Sequence, residues 1–186
     1  MKRAAAVLVL RGMLTGCFSA KPELERGMEL RTRLLAASGC SFDADITADY
    51  GDRLYTFSVE CLGDEKGDLS FTVRKPESIS GITGSISDSK GKLTFDDAAL
   101  DFPLLTDGLL NPVSAPWVFF KTLRSGYITS AGVESEQLHL SIDDSFEDDA
   151  LHLDIWLNDE DLPVRAEILW DGQRYLSMDV NHFRLE

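Results

Sequence analysis

The chain has 186 residues, 44% of them hydrophobic and 27% charged, with a formal net charge of −14. That length suits one domain with a real core, and that composition excludes a disordered chain. Residues 1–39 hold seven Lys/Arg against three Asp/Glu, whereas the rest holds eleven against twenty-nine. Phosphates repel so acidic a body, so nucleic acid is excluded as a partner.

The N-terminus has the layout of an export signal. Lys2 and Arg3 precede an apolar run from Ala4 to Leu10, Arg11 interrupts it, and Leu14-Thr15-Gly16-Cys17 follows. The run is too short to span a membrane. The tetrapeptide resembles the lipobox of bacterial lipoproteins: an aliphatic residue, two small ones that fit the signal peptidase, then a thiol that carries a diacylglyceryl group. The expected organisation is a signal peptide over 1–16, a lipidated Cys17 with a tether over 17–21, and a folded domain over 22–186. The expected location is extracytoplasmic, held to a membrane by lipid.

Residues 22–38 read as one helix. Leu24, Met28, Leu34 and Leu35 recur near helical spacing, Pro22 suits the first turn and Gly39 suits the cap. Beyond Gly39 the period becomes two. Phe42, Ala44 and Ile46 alternate with polar residues, as do Tyr55, Phe57, Val59 and Cys61, and Gly51-Asp52 between them makes a hairpin. Leu69, Phe71 and Val73 form a third strand that stops before Pro76. Residues 79–86 form a fourth, and Leu93 and Phe95 begin a short fifth.

Residues 96–110 read as irregular. Asn111-Pro112 then supplies a cap and first residue for a second helix through Trp117, Phe120 and Leu123, closed by Gly126. Alternation resumes at Leu138, Leu140 and Ile142, then at Leu151, Leu153, Ile155 and Leu157. Val164, Ala166 and Ile168 follow, then Leu176, Met178 and Val180. Putting the last two apolar faces together requires a three-residue loop over 171–173.

Export would place Cys40 and Cys61 where disulfides persist. A Gly51-Asp52 turn sets Phe42 opposite Cys61, with Cys40 diagonal to it. A Tyr50-Gly51 turn sets the two cysteines directly opposite. The expectation is that the two sulfurs lie close, as a candidate disulfide.

About nine or ten one-faced antiparallel strands and only two helices give an α+β fold. A strongly curved sheet is covered by the N-terminal and middle helices. This order resembles the LolA/LolB-like family of periplasmic lipoprotein carriers and related lipoproteins. The resemblance covers residues 22–183. It rests on the first helix, on Phe71-Thr72-Val73-Arg74-Lys75-Pro76, on Leu93-Thr94-Phe95 and on Leu109-Leu110-Asn111-Pro112 before the middle helix. Tyr127-Ile128, Leu153-Asp154-Ile155-Trp156-Leu157, Leu162-Pro163-Val164-Arg165-Ala166-Glu167-Ile168 and a terminal hairpin ending in Phe183 complete it. It implies an open half-barrel with an apolar cavity under the helices and no catalytic set.

The inward positions are Phe42, Ile46, Phe57, Val59, Phe71, Val73, Phe95, Trp117, Phe120, Leu123, Leu153, Ile155, Ile168 and Met178. They suit a packed core and the wall of a ligand cavity equally, because both require the same residue types. No phosphate-cradling loop, H-E-x-x-H or G-x-S-x-G is present. Pairing the strands symmetrically about 143–150 would set His139 opposite Asp154 and Ser141 opposite His152. That is an ordinary polar face rather than a metal site. The acidic loop Asp143-Asp144 and Glu147-Asp148-Asp149 lacks calcium-loop spacing. The expectation is a non-enzymatic protein without cofactor or metal that binds a lipid or other acyl ligand. The alternative is an envelope interaction or sensor protein with a filled core, whose acidic surface meets a protein partner.

Overall fold

The computed structural model describes residues 22–186 apart from Ser89, Asp97, Asp107 and Gly108. The export signal, Cys17 and the tether lie outside the described residues. Helix α1 spans Pro22–Ala36, with Glu23 and Glu25 at its N-terminal dipole end and Arg33 at the other. Its buried residues, Gly27, Leu30 and Leu34, share one stripe. The helix stops before the expected cap because Gly39 already begins strand β1 (Gly39–Asp49). A Cβ on Gly39 would lie 2.5 Å from the Gly63 carbonyl oxygen, so the residue serves strand contact rather than capping.

The chain continues through β2 (Leu54–Asp64), β3 (Leu69–Lys75), β4 (Thr83–Ser87), β5 (Lys90–Phe95) and β6 (Ala98–Pro103). Two-residue strands β7 (Leu105–Thr106) and β8 (Leu109–Leu110) lead to α2 (Ala115–Ser125). Strands β9 (Tyr127–Glu134), β10 (Gln137–Asp143), β11 (His152–Leu157), β12 (Pro163–Trp170) and β13 (Gln173–Leu185) complete it. Eleven strands form one antiparallel sheet in the order β6-β5-β4-β3-β2-β1-β13-β12-β11-β10-β9. The sheet curls without closing, so β6 and β9 are its edge strands among the described residues and the first and last long strands meet at its centre.

Strand β6 lies in the stretch expected to be irregular, and β9 precedes the strand expected to resume the sheet. Alternation is weak in both, as Ala98-Ala99-Leu100 and Ser130-Ala131-Gly132 illustrate. The first hairpin takes the Gly51-Asp52 register, pairing Phe42 with Cys61 and Cys40 with Gly63. Gly51 turns at φ +82°, a conformation glycine adopts freely. In the last hairpin the loop is Asp171-Gly172, with both residues at positive φ, and Trp170 pairs Gln173. The expected third loop residue is replaced by a bulge: the register shifts between Ile168 and Leu169, which brings Ile168 opposite Leu176. Among the described residues no helix is long and apolar enough to cross a membrane.

Candidate functional site

Both helices cover the apolar concave face of the sheet. Asn111 starts the middle cover: its side-chain oxygen accepts from the Val113 N–H at 3.2 Å, opening a single 3₁₀ turn that runs into α2. Eight residues of α2 are buried, on nearly every side of the helix. Phe119 meets Phe42 edge to face at 5.4 Å, and Phe42 stacks on Phe183 at 5.8 Å. Phe120 lies over Gly63, where a Cβ would come within 2.6 Å of the ring. On the other flank, Gly27 lets α1 settle onto Leu140 of β10.

Polar ties fix α1. Arg26 Nε donates to Asp161 at 2.8 Å, Arg33 to the Asp161 carbonyl at 3.1 Å, and Arg31 Nε to the Leu123 carbonyl at 2.9 Å. Burial lowers the Arg31 pKa from its ordinary value. Arg26, Arg31 and Arg33 therefore hold the helix to the β11–β12 loop and to α2.

Thirteen of the fourteen inward candidates are buried in one continuous cluster: Phe42, Ile46, Phe57, Val59, Phe71, Val73, Trp117, Phe120, Leu123, Leu153, Ile155, Ile168 and Met178. Phe95 is the correction. It is 49% exposed because the inner face of β5 runs out beyond the helices towards the β5–β6 turn. Phe119, Phe183, Ile86 and Phe102, absent from those inward positions, are buried in the same cluster. For Phe119 the signal was present, since an apolar residue on each side of Phe120 marks a helix buried all round. Two side-chain atoms of α2, Trp117 Nε1 and Thr122 Oγ1, are buried with no hydrogen-bond partner among the described residues. The Lys121 ammonium stands 5.0 Å over the Trp117 ring.

Cys40 and Cys61, the candidate disulfide, are buried free thiols here. The Gly51-Asp52 register leaves them diagonal rather than opposed, a separation marginal for a bond. Burial pushes the Cys40 thiol up to about 12 and the Cys61 thiol well above its ordinary value, so neither is a ready nucleophile.

On the convex face the β10–β11 register is shifted by two from the symmetric one, pairing Ser141 with Asp154 and Asp143 with His152. Asp144 causes the shift: its N–H donates to the Leu151 carbonyl and its carboxylate accepts from the Leu151 N–H at 2.8 Å, shortening the loop. His139 still reaches Asp154 at 3.0 Å diagonally, and Ser141 donates to the same oxygen at 2.7 Å. Ser141 thus faces a carboxylate rather than the His152 imidazole, whose Nε2 lies 3.3 Å from the same Asp154 oxygen. Among the described residues no three His, Cys, Asp or Glu side chains are grouped to hold a metal. An open groove of about 510 Å³ crosses the outer face of β1–β3; in it Arg74 pairs with Glu60 and His182 Nδ1 lies 2.9 Å from Asp43.

No family model matches the chain, and no curated protein does. Solved structures of similar architecture include a putative outer membrane lipoprotein-sorting protein domain from Vibrio parahaemolyticus (10% identity, TM-score 0.47, 88% of this chain and 92% of that one). Others are a LolA superfamily protein from Nitrosomonas europaea (7%, 0.43, 87% and 93%) and the lipoprotein LppX of Mycobacterium tuberculosis (10%, 0.40, 87% and 92%). They include the LolA-like arrangement that the sequence resembles. At these values the likeness is one of chain path alone and transfers no residue's role.

Proposed function

We propose that this protein is exported, anchored to a membrane through a lipid on Cys17, and non-enzymatic, and that it binds an acyl-type apolar ligand between the concave sheet face and the two helices. The observation that carries this reading is the Trp117 indole N–H, buried without an acceptor among the described residues on the helix that roofs the concave face. A buried donor left unpaired costs about 1–3 kcal/mol. A ligand with an apolar body and one acceptor, such as an ester or carboxyl oxygen, removes that cost while its chain lies among apolar side chains. The test is titration of the purified domain with an apolar fluorescent probe, followed by displacement with palmitate. Saturable uptake that palmitate reverses, and that Trp117→Phe weakens, is the expected result.

The second reading is an envelope partner-binding protein with a filled core. The continuous burial of thirteen inward residues favours it. It expects no uptake of probe by wild type or variant.

A further inference from the structure

We infer that the free edge of β6 is a docking site for an extended peptide segment of another protein, which joins the sheet as a further strand. Strand β6 ends the eleven-strand order, so the backbone N–H and C=O groups on its outer edge have no strand neighbour among the described residues. The opposite edge, β9, differs in that α1 packs against it.

Proteins usually blunt a free edge with charge, proline or a bulge. Strand β6 carries one charge, Asp101, which lies opposite Lys92 in the register with β5. Its only proline, Pro103, is its last residue, and no bulge interrupts β5–β6 pairing. Beside this edge the inner face is apolar and uncovered. Leu93 pairs Leu100, Phe95 pairs Ala98, and Leu100 and Phe95 are 65% and 49% exposed. Deeper along the same face, Phe102 folds over Gly91 and is buried, so the ledge is continuous with the core.

The two features together select the occupant. Unpaired peptide groups require a partner with its own backbone donors and acceptors, which an acyl chain lacks. The apolar ledge on one face requires apolar side chains at every second position of that partner. A second copy of this chain would bring together two bodies of net charge −14, which oppose association.

The test uses the domain with a soluble, lysine-flanked peptide of alternating Val and Thr. A matched peptide is N-methylated at alternate residues, which keeps the side chains and removes one row of backbone donors. The readouts are a binding isotherm and amide exchange of β6. Binding of the first peptide, slowed exchange across residues 98–103, and at least tenfold weaker binding of the methylated peptide and of Leu100→Lys are expected. Leu100 is exposed, so that variant retains the core. Equal binding of the methylated peptide, unchanged β6 exchange, or no binding would overturn the proposal. So would a concentration-dependent dimer that Leu100→Lys dissolves, which would give the edge to a second copy. Because palmitate uptake is read on Trp117 and peptide binding on β6, either reading can fail alone.

Discussion

Trp117 and Cys40 hold the two most informative buried polar atoms of the layer. If the Trp117 N–H lacks an acceptor in the ligand-free protein, Trp117→Phe removes an unpaired donor and keeps a ring. The ligand-free variant is then at least as stable as wild type, gaining up to about 1–3 kcal/mol, while probe uptake weakens. Urea denaturation of both proteins, run beside the probe titration, checks the two halves together. A variant clearly less stable than wild type would mean that the indole already has a partner. For Cys40 the sign follows from proton counting. The folded thiol, pushed to about 12, keeps its proton where the unfolded thiol, near 9.0, loses it. The unfolded state then binds fewer protons, so this contribution to stability is full below about pH 9 and is lost as pH rises towards 12. Wild type should lose more stability over that window than Cys40→Ala, by at most about 1.4 kcal/mol per pH unit. Parallel pH profiles for the two would show no such difference if the thiol were accessible to water.

At the scale of elements, α1 has the less buried attachment of the two helices. It buries only Gly27, Leu30 and Leu34 and is tied down by Arg26 and Arg33 at Asp161. Arg26 is substantially exposed, so its ion pair is screened and contributes below about 1 kcal/mol. Asp161→Asn should therefore leave global stability within that margin while speeding amide exchange in α1 relative to β1 and β13. Uniform exchange across the molecule would show that α1 opens only with the whole sheet. The elements that could be read in the sequence explain those that could not. The β1–β2 hairpin and β10 to β13 are long and half-buried, so burial imprinted a period of two on them. Strand β6, at a free edge, buries only Phe102 of its six residues, and nothing forced alternation on it. Registers were less legible than elements. A side-chain bond from Asp144 and a bulge beside Leu169 each moved pairing in ways that apolar patterning alone does not encode. The inward site residues were legible because burial selects residue type. Phe95 was not, since its exposure depends on how far the helices reach.

For the whole molecule, export and binding are separable claims. Cys17→Ser should release the protein from the membrane fraction or leave it unprocessed. Wild-type protein found in the cytoplasm with residues 1–16 intact would end the lipoprotein reading without touching the fold. The acidic outer surface keeps a β-rich body with an open-ended sheet apart from its own copies, and it leaves the apolar chemistry to the concave side and to β6. The most direct test of ligand binding there is the native mass spectrum of the domain purified gently from its own host, for wild type and Trp117→Phe. A wild-type population carrying the added mass of one acyl-type molecule, lost on mild denaturation and reduced in the variant, is the expected result. A clean ligand-free mass for wild type, unchanged after incubation with palmitate, would contradict it.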